Sequence, residues 1–346
     1  MNRRDLMLRS TVAGLAMAAP SLVRAQTKPE NPTLELGFGL DPVFAPHILA
    51  MRKGWLAEAG FTKVNTKSFT SGALAGEALI AGQINLWTPG NLPPISMVAN
   101  DVPIVVLGTN CIAAAADNLV ARKDANIRKP EDLYNIKIGL LAGSSASAML
   151  YNIAKRYNLD EKRLQPVNLP PPEQFAAVNS GNVQALLCWQ PWGYKAIAAG
   201  GQLIHSGTTS HFEANNGQPA QVSATRSIFV ASKDYVKSNP VGTRALVSVL
   251  TRAQKFAADP ANKAEVIDLV SQETKQDKSV VEAIWNQYVF DPSIGEAYVA
   301  DMRSLAGYLV ASGRVKSITD PMDYTYTEPL AAADPKLVSI PGKAKL

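Results

Sequence analysis

One strand, loop and helix pattern recurs along this chain and limits the fold more than any other feature. From Val64 to Phe69 a strand-like run leads into a Thr70, Ser71, Gly72, Ala73 loop and a helical stretch from Leu74 to Ala81. From Ile136 the same order returns, with a Gly143, Ser144, Ser145 turn and helical composition from Ala146 to Tyr157. Both units close alike. The first runs on as Gly82, Gln83, Ile84, Asn85, Leu86, Trp87, Thr88, Pro89, Gly90, and the second as Gly181, Asn182, Val183, Gln184, Ala185, Leu186, Leu187, Cys188, Trp189, Gln190, Pro191. Such alternation predicts parallel strands covered by helices. Two units, each offering a helix N-terminus and a Trp-ended strand, suit a two-lobed clamp with its ligand between the lobes. The serine loops carry two readings. Unpaired N–H groups at the positive end of a helix suit a small anion, while the same serines also serve as ordinary caps.

At 346 residues, 47% hydrophobic and 18% charged, the chain is long enough for one large or two medium soluble domains. Its N-terminus reads as an export signal of the twin-arginine type. Arg3 and Arg4 precede a short apolar and small-residue run from Ser10 to Pro20, and Val23, Arg24, Ala25 forms a cleavage site before Gln26. The run is too short to span a bilayer, and no Cys stands at the cleavage site for a lipid anchor. Without residues 1 to 25, which hold four Arg and one Asp, the formal net charge of +5 falls to about +2. With no cluster of Lys and Arg among aromatics, this excludes nucleic acid as a partner.

The two cysteines, Cys111 and Cys188, would meet an oxidising compartment that permits a disulfide. Both lie in or beside apolar runs, which favours two buried, unpaired thiols. The histidines, His47, His205 and His211, lack spacing partners for a metal. Neither a metal nor a cofactor is expected.

In chain order, Thr33 to Leu40 reads as a strand ending in Asp41, Pro42, Val43, Phe44, and Ala45 to Ala59 as a helix closed by Gly60. Here a family resemblance becomes definite. His47 in the first helical turn, then Lys53, Gly54, Trp55, Leu56, Ala57, Glu58, Ala59, Gly60, Phe61, resembles the opening of periplasmic substrate-binding proteins of the nitrate, sulfonate and taurine ABC transporter group. Their relatives that bind thiamine pyrimidine precursors share it. The resemblance continues through the Ser71, Gly72 loop, the Pro103 to Leu107 strand, the Asn118 to Lys123 run, the Gly143 to Ser145 loop and the Ser227 to Ser232 return strand, and covers roughly residues 33 to 258.

The resemblance implies an α/β fold of the type II periplasmic binding protein, with parallel sheets flanked by helices and a hinged cleft. Residues 1–25 would be the signal, 26–110 plus 218–346 a discontinuous first lobe, and 111–217 the second. The stretch from His205 to Gln218 reads as a surface loop. Helices from Pro240 to Ala311 are expected outside the first lobe and away from the pocket, and the proline-containing tail after Ser312 is expected to be partly extended.

Carried onto matching positions, the resemblance aims Asp41 to Phe44, Ser71 to Ala73, Thr88 to Asn91, Gly143 to Ala146 and Trp189 with Gln190 at the cleft. The candidate ligand-binding residues are thus Asp41, Phe44, Ser71, Gly72, Ala73, Thr88, Pro89, Gly90, Asn91, Gly143, Ser144, Ser145, Ala146, Trp189 and Gln190, with Arg226 as the charge partner of an anionic headgroup. Trp87 would add a wall. Each has a plainer role: the tryptophans as core, Asp41 as a cap, Gln190 bonding its own loop, Arg226 solvated.

No catalytic residue is expected. Gly143, Ser144, Ser145, Ala146, Ser147 is not a nucleophile elbow, and neither a glycine-rich dinucleotide fingerprint nor a Walker loop occurs. The function expected is a monomeric, exported periplasmic protein that captures a small organic anion, an alkane or aryl sulfonate or a taurine-like compound, and delivers it to an ABC permease. A pyrimidine precursor, riboflavin or an aromatic carboxylate is the alternative ligand. A thiamine pyrimidine synthase-like enzyme is disfavoured by the export signal, and an exported sensory or tripartite-transporter receptor would differ in the partner it docks on.

Overall fold

The computed structural model describes residues 28–69 and 72–346, so the expected signal sequence and Ser71 lie outside the described residues. Two five-stranded sheets form, each with the same internal plan. The first takes β1 (Thr33–Gly37), β2 (Lys63–Lys67), β3 (Leu86–Trp87), β4 (Ile104–Ile112) and, from much later in the chain, β10 (Arg226–Ser232). Its order is β2-β1-β3-β10-β4. The second takes β5 (Asp117–Ala121), β6 (Lys137–Leu140), β7 (Gln165–Asn168), β8 (Ala185–Trp189) and β9 (Gln202–Ser206), in the order β7-β6-β8-β5-β9.

These sheets are mixed, not parallel as expected. β1 runs parallel to β2 and β3, and β6 parallel to β7 and β8, through helical crossovers. The strands that change sheets run the other way: β10 is antiparallel to β3 and β4, and β5 to β8 and β9. The reason is connectivity. Each of these strands enters its sheet from the other one and so arrives at the end where the parallel strands finish.

The plan also corrects the phase of the repeat. The Trp-ended strands β3 and β8 do occupy equivalent places, third in each crossover series. The strand before the Gly143 to Ser145 loop, however, is β6, whose topological counterpart is β1 and not β2. The loop after β6 therefore answers to the Asp41 to Phe44 loop after β1.

Helix boundaries follow local chemistry. The expected helix from Ala45 to Ala59 breaks into Ala45–Arg52 and Trp55–Glu58 because Gly54 takes φ +71°. Pro240 starts a 19-residue helix, Pro240–Ala258, separate from Lys233–Ser238, since its ring fits a first helical turn and not an interior. The stretch from His205 to Gln218 is no simple surface loop: His205 belongs to β9, and Ser210 and Phe212 are buried. The C-terminal tail likewise folds back. Tyr324 and Tyr326 bond across to β4, while Met322, Tyr324 and Leu330 join the core of the first sheet.

The chain crosses between the sheets twice, from Ile112 to Asp117 and from Ser206 to Arg226, and these crossings are knitted together. The Gly207 N–H donates to Asp117 O, and Val222 and Ser223 N–H groups donate to Gly207 O. A Cβ on Gly207 would collide with the Ala114 carbonyl oxygen and lie 2.6 Å from Ser223 Cβ. Glycine is required there for close approach rather than for a special φ. Cys111 and Cys188 are free and buried.

Candidate functional site

A cavity of about 660 Å³ opens between the two sheets, within the range of small-molecule sites. Its walls come from the loops after the central strands. Asp41, Val43 and Phe44 follow β1, Thr88, Pro89 and Gly90 follow β3, Gly143, Ser144 and Ser145 follow β6, and Trp189 and Gln190 end β8. The crossings add Ala113, Ala116, Asp117 and Thr225, and the start of β10 adds Ser227. Strand ends gather ligands in open α/β sheets because crossover loops diverge there. Most of the wall is apolar, with Phe38, Phe44, Phe69, Trp87, Met97 and Trp189 among its larger side chains.

The polar groups at the start of the helix Ser145–Arg156 are largely used within the protein. Ser144 Oγ accepts from Ala146 N–H and donates to Leu141 O, while Ser147 Oγ accepts from Gly143 N–H and donates to Leu141 O. Ser147 N–H itself donates to Ser144 O. The capping role thus takes most of the donors that an anion would need, and among the described residues only the Ser145 N–H of the first turn is left without a partner. Ala146 is buried beneath this turn and does not line the cavity.

Ser145 Oγ donates to Asp117, 3.3 Å away, and Asp117 is the hub of the crossings: its other oxygen accepts from Ser223 Oγ at 2.7 Å and Thr225 Oγ1 at 2.5 Å. Burial raises the Asp117 carboxyl above its ordinary range, and the three hydroxyl donors oppose that shift. The sequence reading passed over Asp117. Its signal was a lone acid set in the run from Ala113 to Ala121.

Asp41 is placed differently. It makes no cap bond to the short turn after it. Burial pushes its carboxyl up to about 6, opposed by the nearby Trp189 side chain and by the charge of Lys195. Asp41 and Trp189 thus reach the same cavity from a loop of the first sheet and a strand end of the second. Behind Thr88, His47 Nε2 lies 3.0 Å from Thr88 Oγ1, and burial holds the imidazole down at about 3, so it is neutral.

Several expected site residues stand elsewhere. Arg226 is a buried residue of β10 whose Nε donates to Asp301 at 2.6 Å, and it neither lines the cavity nor meets solvent. This corrects its assignment as a ligand partner: the strand's alternation turns it towards the helix Glu296–Ala311. Asn91 is also behind the wall, donating to Ala224 O and accepting from Arg226 N–H. Gln190 lines the cavity but spends its amide on Asn118, Gln287 and the Tyr194 N–H. Gly72 and Ala73 start the helix Gly72–Ile80. The segment from Pro240 to Ala311, whose helices were expected away from the pocket, contributes Tyr288 and Leu309 to it, and the tail after it contributes Arg314. Arg314 follows Gly313 at φ +68° and brings its guanidinium to Gly143, where a Cβ would lie 3.0 Å from it. No pattern in the sequence marks Tyr288 or Arg314, because their place depends on how Glu296–Ala311 packs.

Among the described residues, no group of three potential metal ligands occurs and no helix is long and apolar enough to cross a membrane.

The chain is similar to known binding proteins. A protein of Escherichia coli (strain K12) named as binding aliphatic sulfonates is 25% identical over 72% of this chain and 76% of its own length. The taurine-binding periplasmic protein of the same organism is 25% identical over 70% of this chain and 72% of its own length. The crystal structure of the periplasmic aliphatic sulphonate binding protein SsuA from Escherichia coli superposes with a TM-score of 0.69 at 19% identity, covering 84% of this chain and 96% of that one. The desulfurization enzyme DSZB shares the fold, with a TM-score of 0.66 at 16% identity over 88% of this chain and 99% of that one. The architecture is that of the two-lobed periplasmic binding proteins. The NMT1-like family model matches residues 27–271, well over half of the chain, and the protein belongs to the NMT1-like family.

Proposed function

We propose that this chain is an exported solute-binding protein, processed after Ala25, that closes two lobes on a small organic solute in the periplasm and presents it as a monomer to an ABC permease. The lobes are residues 26–110 with 218–346, and residues 111–217. The observation that carries this reading is the cavity itself, a mostly apolar space walled by loops of both sheets and floored by the two crossings between them. Two crossings, knitted through Asp117 and Gly207, form a hinge of the kind around which lobes rotate on ligand binding. An alkane or aryl sulfonate or a taurine-like compound is the solute class, by likeness to relatives that bind such compounds. A role without catalysis is supported by likeness to curated relatives named as binding proteins.

A second reading keeps the transport role and changes the solute to a pyrimidine, a flavin or an aromatic carboxylate. Phe44, Trp87 and Trp189 offer ring faces for stacking, and Asp41 an acceptor for an N–H edge. The test is a thermal-shift panel of sulfonates, taurine, nitrate, aromatic carboxylates, pyrimidines and riboflavin, followed by small-angle scattering with each hit. A hit that lowers the radius of gyration is the expected result. A tightly bound solute that leaves the scattering curve unchanged refutes the hinge, and silence across the panel refutes solute capture from these classes.

A further inference from the structure

Part of the cavity is built by residues around the first sheet alone. Its lining follows two helices, Gly72–Ile80 and Leu92–Val98. Pro93, Ser96, Met97 and Asn100 recur at the spacing of a single helix face, and Gly76 and Ile80, four residues apart, line the facing helix. The helices meet at Gly76, where a Cβ would lie 3.0 Å from Met97 Sδ and 3.6 Å from Trp87 Cη2. Trp87 ends β3 and Thr88 begins the loop that walls the cleft, so this arm opens off the cleft itself. It runs the length of the second helix. Leu92 to Val98 spans about 9 Å at 1.5 Å per residue, and Asn100 and Val102 carry the lining beyond the helix end.

The chemistry of the arm differs from that of the cleft. Trp87 is 2% exposed and Ile80 55%, which gives the arm a buried floor and an exposed edge. Glu77, Ser96 and Asn100 are its polar members, and all three reach the surface. No described Lys, Arg or His lines it, since Arg314 stands against Gly143 and the unpaired Ser145 N–H lies in the same turn, across the cleft. An anionic headgroup therefore gains nothing here and would meet the Glu77 carboxylate. Methylene groups would instead leave water for contact with Trp87, Ile80 and Met97. Met97 is the adaptable member, a half-buried thioether chain that can swing to fit what enters. Glycine is unfavourable inside a helix, and at Gly76 the missing side chain is what keeps the arm open at its narrowest point.

We infer that the arm is a subsite for an unbranched alkyl tail, with Gly76 and Met97 setting which tails enter while the polar end of the solute stays in the cleft. This rests on the solute-capture reading above and selects within it. The approach of Met97 and Trp87 to Gly76 suits a chain one methylene thick rather than a ring. Taurine and nitrate have nothing to place there, whereas an alkane sulfonate of several carbons uses both parts of the cavity.

The experiment is titration calorimetry at pH 7 with ethane-, butane-, hexane- and octanesulfonate and with the carboxylates of matching length. A fully buried methylene is worth about fourfold in affinity, and one in a groove open on one side about twofold. Octanesulfonate should then bind at least about thirtyfold tighter than ethanesulfonate, at one site per molecule. Gly76→Leu fills the arm at its narrowest point, and Ile80→Asp puts a carboxylate on its exposed edge. Each should cut that ratio to below about fivefold, and reading the ratio separates lost tail contact from a general loss of binding. Circular dichroism checks the fold of both variants, and the exposed position of Ile80 keeps the test available if Gly76→Leu does not fold. A slope in the carboxylates alone supports the arm and moves the headgroup. The inference is overturned if affinity is flat with chain length or if a folded variant keeps the ratio, and tight but flat binding leaves solute capture standing. It also falls alone if neither series binds while a tailless solute of the thermal-shift panel compacts the protein. If no solute of any set binds, both fall.

Discussion

Replacing Arg226 with Met separates a structural arginine from a ligand-binding one. The Arg226 side chain is 4% exposed and that of Asp301 27%, with Nε and Oδ2 2.6 Å apart. Removing one member of a buried pair costs about 3–5 kcal/mol, because the other charge stays without its partner. Asp301 retains some water, which places the cost near the lower end, about 3 kcal/mol. Methionine keeps much of the aliphatic packing beside Tyr298, whose ring lies 5.9 Å from the guanidinium. At roughly 2–4 °C per kcal/mol for a body of this size, the melting temperature should fall by about 6–12 °C. Burial raises the Asp301 carboxyl despite the attraction of Arg226, so desolvation outweighs the pairing. The double change Arg226→Met with Asp301→Leu should therefore recover most of the loss. Differential scanning calorimetry of the wild type, both single variants and the double variant gives the cycle. The ligand-induced rise in melting temperature should persist in the double variant. A single variant that melts within a degree of the wild type would refute the buried-pair argument, and a stable double variant that no longer responds to solute would return Arg226 to the binding site.

Three further outcomes are expected. Gly207→Ala places a Cβ against the Ala114 carbonyl where the crossings meet, and should cost about 3 kcal/mol in urea unfolding; an unchanged midpoint would show that the crossings are looser than drawn. Asp41 ionises at about 6 in the native protein against 3.8 ordinarily, so the native state binds more protons than the unfolded chain between these values, and this residue's contribution to stability falls as pH rises through that window. Asp41→Asn should then be stabilising relative to wild type at pH 7, by at most about 3 kcal/mol, and near neutral at pH 4; a pH-independent difference in urea titrations would refute the assignment. The buried thiols of Cys111 and Cys188 should both resist Ellman's reagent in the native protein and both react after denaturation, whereas rapid native labelling of either would contradict its place in the core.

The two halves of the cleft were legible to different degrees. Asp41, Phe44, Thr88, Gly143, Ser145 and Trp189, which the family resemblance aimed at the cleft, all line the cavity, each at or soon after a strand end. At the serine loop the capping role takes Ser144 and Ser147, which fill their own turn, and leaves the Ser145 N–H free. Asp117 left a faint signal, and Tyr288 and Arg314 left none.

The sequence by itself determined the α/β units, their glycine turns and their Trp-ended strands, because these depend on residues within a few positions of one another. The tertiary structure decided the rest. The antiparallel entry of β5 and β10 depends on where the chain changes sheets, and the pairing of Arg226 with Asp301 joins residues 75 positions apart. The reach of Arg314 to Gly143 depends on how the helix Glu296–Ala311 docks. Periodicity fixes which face of an element is buried, but only packing fixes what that face meets, and the lining of this cavity is a product of those meetings.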